Sequence, residues 1–394
     1  MNSKESIANF DVSTQVTMLG RDPSVQYGFV NPPLYKGSTV VYKTLDDLEH
    51  KRQRFFYGTA GSPTIANLED AWTHMTGAAG TVLSPTGLGS VALALLTTTK
   101  AGDHVLMPDS VYRPSRVFCN GLLTRFGVET SYYDPTIGAG IEALVKPNTS
   151  TIFMESPGSR SMEIQDIPAI VEVAKKHGIK TIADNTWATP IFFQAHAHGI
   201  DISVEAGTKY LGGHSDILLG LTSATKELWP SLRTTYDAMA MLPGADDCML
   251  ALRGLRTMHL RLREAQRKGL EIAKWLKARP EVSKVLHPAL ADCPGHELWL
   301  RDFKGSSGLF SIVLHDRFSR DGIKAMLEGM SIFSMGLSWG GYESLIIPFD
   351  GNDTRAVTRW PHDGVALRLQ IGLEDSEDLK QDLQRGLERL VTRD

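Results

Sequence analysis

Asp201-Ile202-Ser203-Val204-Glu205-Ala206-Gly207-Thr208-Lys209-Tyr210-Leu211-Gly212-Gly213-His214 is the stretch on which the fold turns. Ile202 to Ala206 reads as a short buried strand. It ends in a polar turn that carries a small residue, a hydroxyl and one lysine. A Gly-Gly pair follows, where backbone can approach a ligand closely. Lysine is usually solvated. Held at the end of a buried strand it is a candidate nucleophile, because desolvation lowers its pKa and frees the amine. Alone, the ordinary solvated lysine is the commoner case; the rest of the chain decides.

The 394 residues suffice for two or more domains, and 42% hydrophobic with 22% charged is a globular balance. A formal net charge of −4, with no basic stripe interleaved with aromatics, argues against a nucleic-acid partner. Cys119, Cys248 and Cys293 are far apart, which excludes a disulfide framework and a Cys-x-x-Cys zinc site. They suit a reducing compartment. Met1 to Phe10 is polar, without an apolar signal core. The most apolar short run, Val91 to Leu96, is far too short to span a bilayer. The expectation is a soluble cytoplasmic protein with no membrane partner and no bound metal.

Working outward, helices and strands alternate. Helices are expected at Ile65–Met75, Val91–Thr98, Ser115–Phe126, Gly140–Val145 and Ile167–His177. Strands are expected at Gly80–Leu83, His104–Met107, Glu129–Tyr133, Thr151–Glu155, Lys180–Asp184 and Ile202–Ala206. That alternation predicts an α/β fold with a mostly parallel sheet covered on both faces. Trp229 to Ala278 is helical in period. Beyond it, strands near Gly308–Leu314, Ser344–Ile347 and Val365–Ile371, with helices near Ile323–Met330 and Ser376–Val391, predict a smaller α/β carboxy-terminal domain. The division expected is an arm over 1–62, a larger domain over 63–255 and the smaller domain over 256–394. The arm is punctuated by proline and glycine. It is too aromatic for disorder, and packs either on its own domain or on a second subunit.

Three further features converge on the sheet edge. Ser84-Pro85-Thr86-Gly87-Leu88-Gly89-Ser90 reads as a turn from strand into helix, where amides and the helix dipole favour a phosphate. Gly87 to Ala92 also matches a dinucleotide fingerprint. The match is weak: no clear ribose-binding acid closes a following strand, and Asp109 sits in a loop. A nicotinamide dehydrogenase remains the competing class. Asp184 ends a buried strand, and Lys209 follows the next one, so two parallel strands would bring both to the carboxyl edge where α/β proteins bind ligands. A phosphate cradle, an acid and a lysine on one edge suit pyridoxal phosphate, the lysine holding the cofactor and the acid keeping its ring nitrogen protonated. Tyr112 falls at the same edge and could stack on a flat ring; a half-buried loop tyrosine is the plainer reading. In Val365 to Gly372 the alternation puts Arg368 and Gln370 on the face opposite Leu367 and Leu369. Arg368 suits a substrate carboxylate, or else faces solvent. Ser338-Trp339-Gly340-Gly341 could bring backbone and hydroxyl to the same carboxylate.

These residues resemble a known family, the cystathionine-metabolising (trans-sulfuration) pyridoxal-phosphate enzymes of fold type I. The resemblance is carried by Glu155-Ser156-Pro157-Gly158-Ser159, Asp184-Asn185-Thr186-Trp187, Thr208-Lys209-Tyr210, Gly213-His214-Ser215-Asp216, Arg253-Gly254-Leu255-Arg256-Thr257, Ser338-Trp339-Gly340-Gly341-Tyr342-Glu343-Ser344 and Arg368 through Glu374, spread along nearly the whole chain. It implies a carbon–sulfur lyase acting on a small amino acid, and the Ser338–Ser344 stretch points to the branch that eliminates at Cβ. Other elimination or replacement chemistry on an S-substituted cysteine or a homoserine derivative is the runner-up. It implies that Lys209 is the Schiff-base lysine and proton-transfer base, that Asp184 pairs with the pyridine nitrogen, and that Tyr112 stacks on the ring and takes part in catalysis. Gly87, Leu88 and Thr208 would hold the phosphate, with Tyr57 reaching the phosphate of a neighbouring subunit. Arg368, Ser338 and Trp339 would bind the substrate carboxylate. It also implies a homotetramer built from catalytic dimers. Two departures stand out. Thr59 replaces an arginine that many relatives carry two residues after the tyrosine matching Tyr57. Ala206-Gly207 stands where many place a serine. Arg52, Arg54 or Arg113 could supply the missing charge.

Overall fold

The structure is a computed structural model and describes residues 7–353 and 355–392. Seven strands form the larger sheet: β1 (Gly80–Ser84), β2 (His104–Pro108), β3 (Glu129–Tyr133), β4 (Thr149–Glu155), β5 (Lys180–Asp184), β6 (Ile202–Ala206) and β7 (Gly220–Ala224). Their order is β1-β7-β6-β5-β4-β2-β3. The pairs β2–β3, β2–β4, β4–β5 and β5–β6 are parallel, while β7 runs against both of its neighbours. Every residue of β1, β2 and β7 is buried, as expected of strands covered on both faces. The four-stranded sheet holds β8 (Val282–Leu286), β9 (Leu309–Leu314), β10 (Leu345–Phe349) and β11 (Ala366–Gln370), in the order β10-β11-β9-β8 and antiparallel throughout.

Two strands have no counterpart in the sequence reading, β7 and β8. Several helices differ in kind or extent. The segment expected as helix Gly140–Val145 is a 3-10 helix, Gly138–Leu144. The helical run Trp229–Ala278 is two helices, Trp229–Met239 and Ala245–Lys277. The last two helices are Arg320–Glu328 and Ser376–Leu387. The helix after β1 begins at Gly87 itself, so the glycine turn is the first helical turn, capped by the Thr86 hydroxyl accepting from Gly89 N at 3.0 Å. The segment 115–126 is a short α-helix, Arg113–Phe118, that passes into a π-helical turn, Cys119–Leu123.

Helix Ala245–Lys277 runs unbroken for 33 residues. It buries Leu252, Leu255, Met258 and Leu262, spaced three or four apart along one face. It packs on Val12–Met18 and Pro63–Thr76 at one end and on β8 and β9 toward the other. Arg256 holds the amino-terminal helix through the Val16 and Leu19 carbonyls. From Val25 onward the chain leaves this support: Tyr27 is 99% and Val41 83% exposed.

Candidate active site

Register places the functional side chains. Glu155 lies opposite Asp184, and Asp184 opposite Val204, across β4, β5 and β6. Ala206 and Ser84 both face Gly220, so the ends of β6 and β1 lie level at the same carboxyl edge. Lys209, Gly87 and Tyr112 follow directly from strands that end there.

The turn after β6 is held from behind. Arg261, buried on the long helix, donates to the carbonyls of Tyr210 at 2.6 Å and Leu211 at 3.2 Å. Lys209 is half-buried. Burial, then the nearby Arg368 guanidinium, lowers its pKa to about 8, with Asp184 opposing. Its Nζ donates to Ser338 Oγ at 2.8 Å and lies 5.1 Å from the centre of the Trp339 ring. Gly340 makes this approach possible: its φ is +82°, and a Cβ there would meet Lys209 Cβ at 3.0 Å.

Asp184 receives the Thr186 amide (3.0 Å) and hydroxyl (2.6 Å), both on Oδ1. Burial raises its pKa against those hydrogen bonds and Lys209. The Thr186 hydroxyl also accepts from Ala206 N at 2.9 Å, fixing the spacing of β5 and β6. Arg368 is only 5% exposed, which removes the solvent-facing alternative. Its Nη atoms donate to the carbonyls of Gly336, Leu337 and Ser338 at 2.8, 3.0 and 2.9 Å, while its buried Nε has no acceptor. Burial, then Arg160, lowers its pKa to about 10.

Tyr112 is 45% exposed at the mouth, with its amide on Glu155 Oε2 at 2.7 Å. Desolvation and the fields of Asp184 and Glu155 raise its phenol. Thr208 is less free than its place suggests: its hydroxyl donates to Leu219 O at 3.2 Å and accepts from Leu219 N at 3.0 Å. To donate to a phosphate it must release Leu219 O. Tyr57 and Thr59 are exposed, and Tyr57 forms an isolated antiparallel bridge with Thr39. Of the arginines near the missing charge, Arg52 pairs with Asp46 and Arg54 with Asp70. Arg113 is exposed and forms no ion pair among the described residues.

Three residues that matter here were not singled out as site residues from sequence. Arg261 braces the lysine turn. Glu205 is buried behind Asp184, takes the Trp72 indole N–H at 3.2 Å and is pushed up to about 8, mainly by burial. Asp109 is fully buried. It accepts from the amides of Ala356, Val357 and Thr358 at 2.7, 3.0 and 2.8 Å and from Arg116 at 2.7 Å. Burial pushes it up, but the Thr358 hydroxyl and those amides outweigh burial and hold it below the ordinary carboxylate range. It therefore pins the 355–358 loop beside Tyr112 and cannot serve a ribose, which argues against the dehydrogenase reading.

The residues present fit pyridoxal phosphate. A desolvated amine faces the edge. The second carboxylate oxygen of Asp184 carries no hydrogen bond from the described chain. The Gly87 and Leu88 amides, first in their helix, have no intrahelical acceptor. A Cβ on Gly87 would meet the Ala206 Cβ at 2.6 Å, so only glycine lets that helix start come so close to the end of β6. Fold and site together define a pyridoxal-phosphate enzyme of fold type I. The Cys/Met metabolism PLP-dependent enzyme family matches residues 13–388, and the chain belongs to that family. A Saccharomyces cerevisiae relative is 68% identical over 341 residues, 86% of this chain and 100% of its own. The cystathionine beta-lyase of Escherichia coli is 40% identical over 98% of this chain and 100% of its own. An L-alanine/L-glutamate racemase of Wolbachia pipientis is 39% identical over 94% and 95%. Among solved structures, cystathionine gamma synthase from Xanthomonas oryzae, in complex with aminoacrylate and cysteine, aligns with a TM-score of 0.89 and 31% identity, covering 96% of this chain and 98% of that one.

Proposed function

We propose that the protein cleaves L-cystathionine by β-elimination, giving homocysteine, pyruvate and ammonia. The observation that carries this reading is the meeting of Lys209 with the Ser338–Trp339 loop at 2.8 Å, beside Asp184 and Arg368. Pyridoxal phosphate, when bound, supplies an aldehyde that bonds to Lys209 Nζ and a ring that takes up the electron pair left at the substrate's Cα. Arg368 orients the substrate through its α-carboxylate, using Nε. Ser338 and Trp339 close over that end. Lys209 Nζ would take the proton from the substrate's Cα. At a pKa of about 8, on the order of a tenth of such amines are neutral at pH 7, against about one in three thousand for an ordinary lysine. Tyr112, kept protonated, delivers a proton to the departing sulfur. Asp184 would hold the protonated ring nitrogen, and Gly87, Leu88 and Thr208 would hold the phosphate.

The same reading extends to assembly and place. The exposed apolar arm, with Tyr27, Phe29 and Val41, supports an interface with a second copy, where Tyr57 reaches the neighbour's phosphate in a dimer that pairs into a tetramer. Residues 63–255 carry the cofactor, 256–394 close over the substrate and 1–62 serve the neighbour. Three buried free cysteines suit the cytoplasm, and no described helix is long and apolar enough to cross a membrane.

The test is to incubate the cofactor-loaded protein with L-cystathionine and identify the keto acid. Pyruvate with homocysteine supports the reading. 2-Oxobutyrate with cysteine moves the reaction to Cγ, and no keto acid from protein that binds the cofactor overturns the substrate.

A further inference from the structure

We propose that Arg160 is a specificity residue, whose guanidinium binds the carboxylate at the far end of the substrate, beyond the sulfur. This rests on the lyase reading and names what that site selects.

Arg160 sits in the loop after β4 with φ +68°, uncommon for a residue with a side chain. Two hydrogen bonds pin the loop. Ser159 N donates to Ser110 O at 2.9 Å, two residues before Tyr112. On the other side Ser311 Oγ donates to Arg160 O at 2.5 Å, and Ser311 lies directly opposite Arg368 in the β9–β11 register. Arg160 is thereby set between the tyrosine and the arginine of the mouth. Its Cζ lies 5.7 Å from the centre of the Phe349 ring. The residue is half-buried, yet among the described residues its guanidinium makes no ion pair or hydrogen bond; Asp353 acts on it only through space. Tyr112 and Arg368 both feel its charge.

A partly desolvated cation without a counterion is unfavourable, and two neighbouring arginines repel. Both costs fall if each receives an anion. L-Cystathionine carries one carboxylate at each end: Arg368 takes the near one, Arg160 the far one. An S-alkyl cysteine without a distal carboxylate would leave Arg160 unused.

The experiment compares wild type, Arg160→Met and Arg160→Lys on L-cystathionine and S-methyl-L-cysteine, with thermal melting to verify folding. Arg160→Met should lower kcat/KM for L-cystathionine about tenfold or more, chiefly through KM, as loss of a charged hydrogen bond implies. The S-methyl-L-cysteine value should stay within about twofold, and Arg160→Lys should recover part of the loss. An equal fall for both substrates, or none, overturns the proposal. If wild type makes keto acid from neither compound, the lyase reading has failed. Spectral titration of the two ligands then decides Arg160 alone: wild type must favour the dicarboxylate and Arg160→Met must lose that preference, or the assignment falls.

Discussion

Lys209 Nζ lies 2.8 Å from Ser338 Oγ, which joins the end of β6 to a loop that Arg368 holds by three carbonyls. The amine of one half of the chain is therefore aimed by the other. Ser338→Ala should lower kcat/KM on L-cystathionine about tenfold, the scale of one charged hydrogen bond. Ser338 is exposed, so the melting temperature should hold. Steady-state kinetics beside calorimetry checks both; full activity in the variant would mean the loop does not aim the amine.

The lowered pKa of Lys209 predicts how apoenzyme takes up its cofactor. Only the neutral amine can bond to an aldehyde, so the attachment rate should climb about tenfold per pH unit and level off near 8. Burial and Arg368 set this value, so Ser338→Ala should leave the midpoint in place. Stopped-flow absorbance across pH 6 to about 10 reads it; a rate still climbing through about 10 would mean an ordinary lysine.

Arg368→Lys keeps the charge and loses the fork. The three carbonyls and the orphaned Nε both depend on a planar guanidinium. KM should rise about tenfold or more, and kcat should fall with it because the Ser338 loop loosens. A change confined to KM would separate carboxylate binding from loop support.

Much of the frame was legible because local pattern and tertiary role agree. Glu129–Tyr133, Ile167–His177, Lys180–Asp184 and Ile202–Ala206 have the same bounds in sequence and structure. β7 was not, since Gly220-Leu221-Thr222-Ser223-Ala224 is small and polar and becomes a strand by lying between β6 and β1. The helix start at Gly87 hid behind glycine's turn signal. Lys209, Asp184 and Arg368 stand out because strand ends and alternation locate them. Arg261, Glu205 and Asp109 did not, because their roles exist only across contacts far apart in the chain.

Glu205 should make stability fall as pH rises. Its folded pKa of about 8 exceeds the ordinary 4.5, so the folded state binds more protons between those values. The cost is absent below about 4.5, grows through the window and is complete above 8. Glu205→Gln keeps an acceptor for the Trp72 indole. It should stabilise the protein by roughly 1–3 kcal/mol at pH 7 and by little near pH 4.5. Urea melts at the two pH values check the sign, and equal effects at both would place the cause elsewhere.

Thr59 offers a gain-of-charge test of the arm. Arg52 and Arg54 are already paired with acids, which leaves Arg113, of those three, without an ion pair among the described residues. If the Tyr57–Thr59 segment meets a neighbour's phosphate, Thr59→Arg adds a charged hydrogen bond there, and apoenzyme should bind pyridoxal phosphate about tenfold more tightly or better. The gain should vanish at protein concentrations where the dimer dissociates, because the arginine acts across the interface. Fluorescence titration at two protein concentrations, with sedimentation to fix the assembly state, reads both effects. Tightening that persists in the monomer would place Thr59 on its own protomer's phosphate, and no tightening in the dimer would remove the arm from the site.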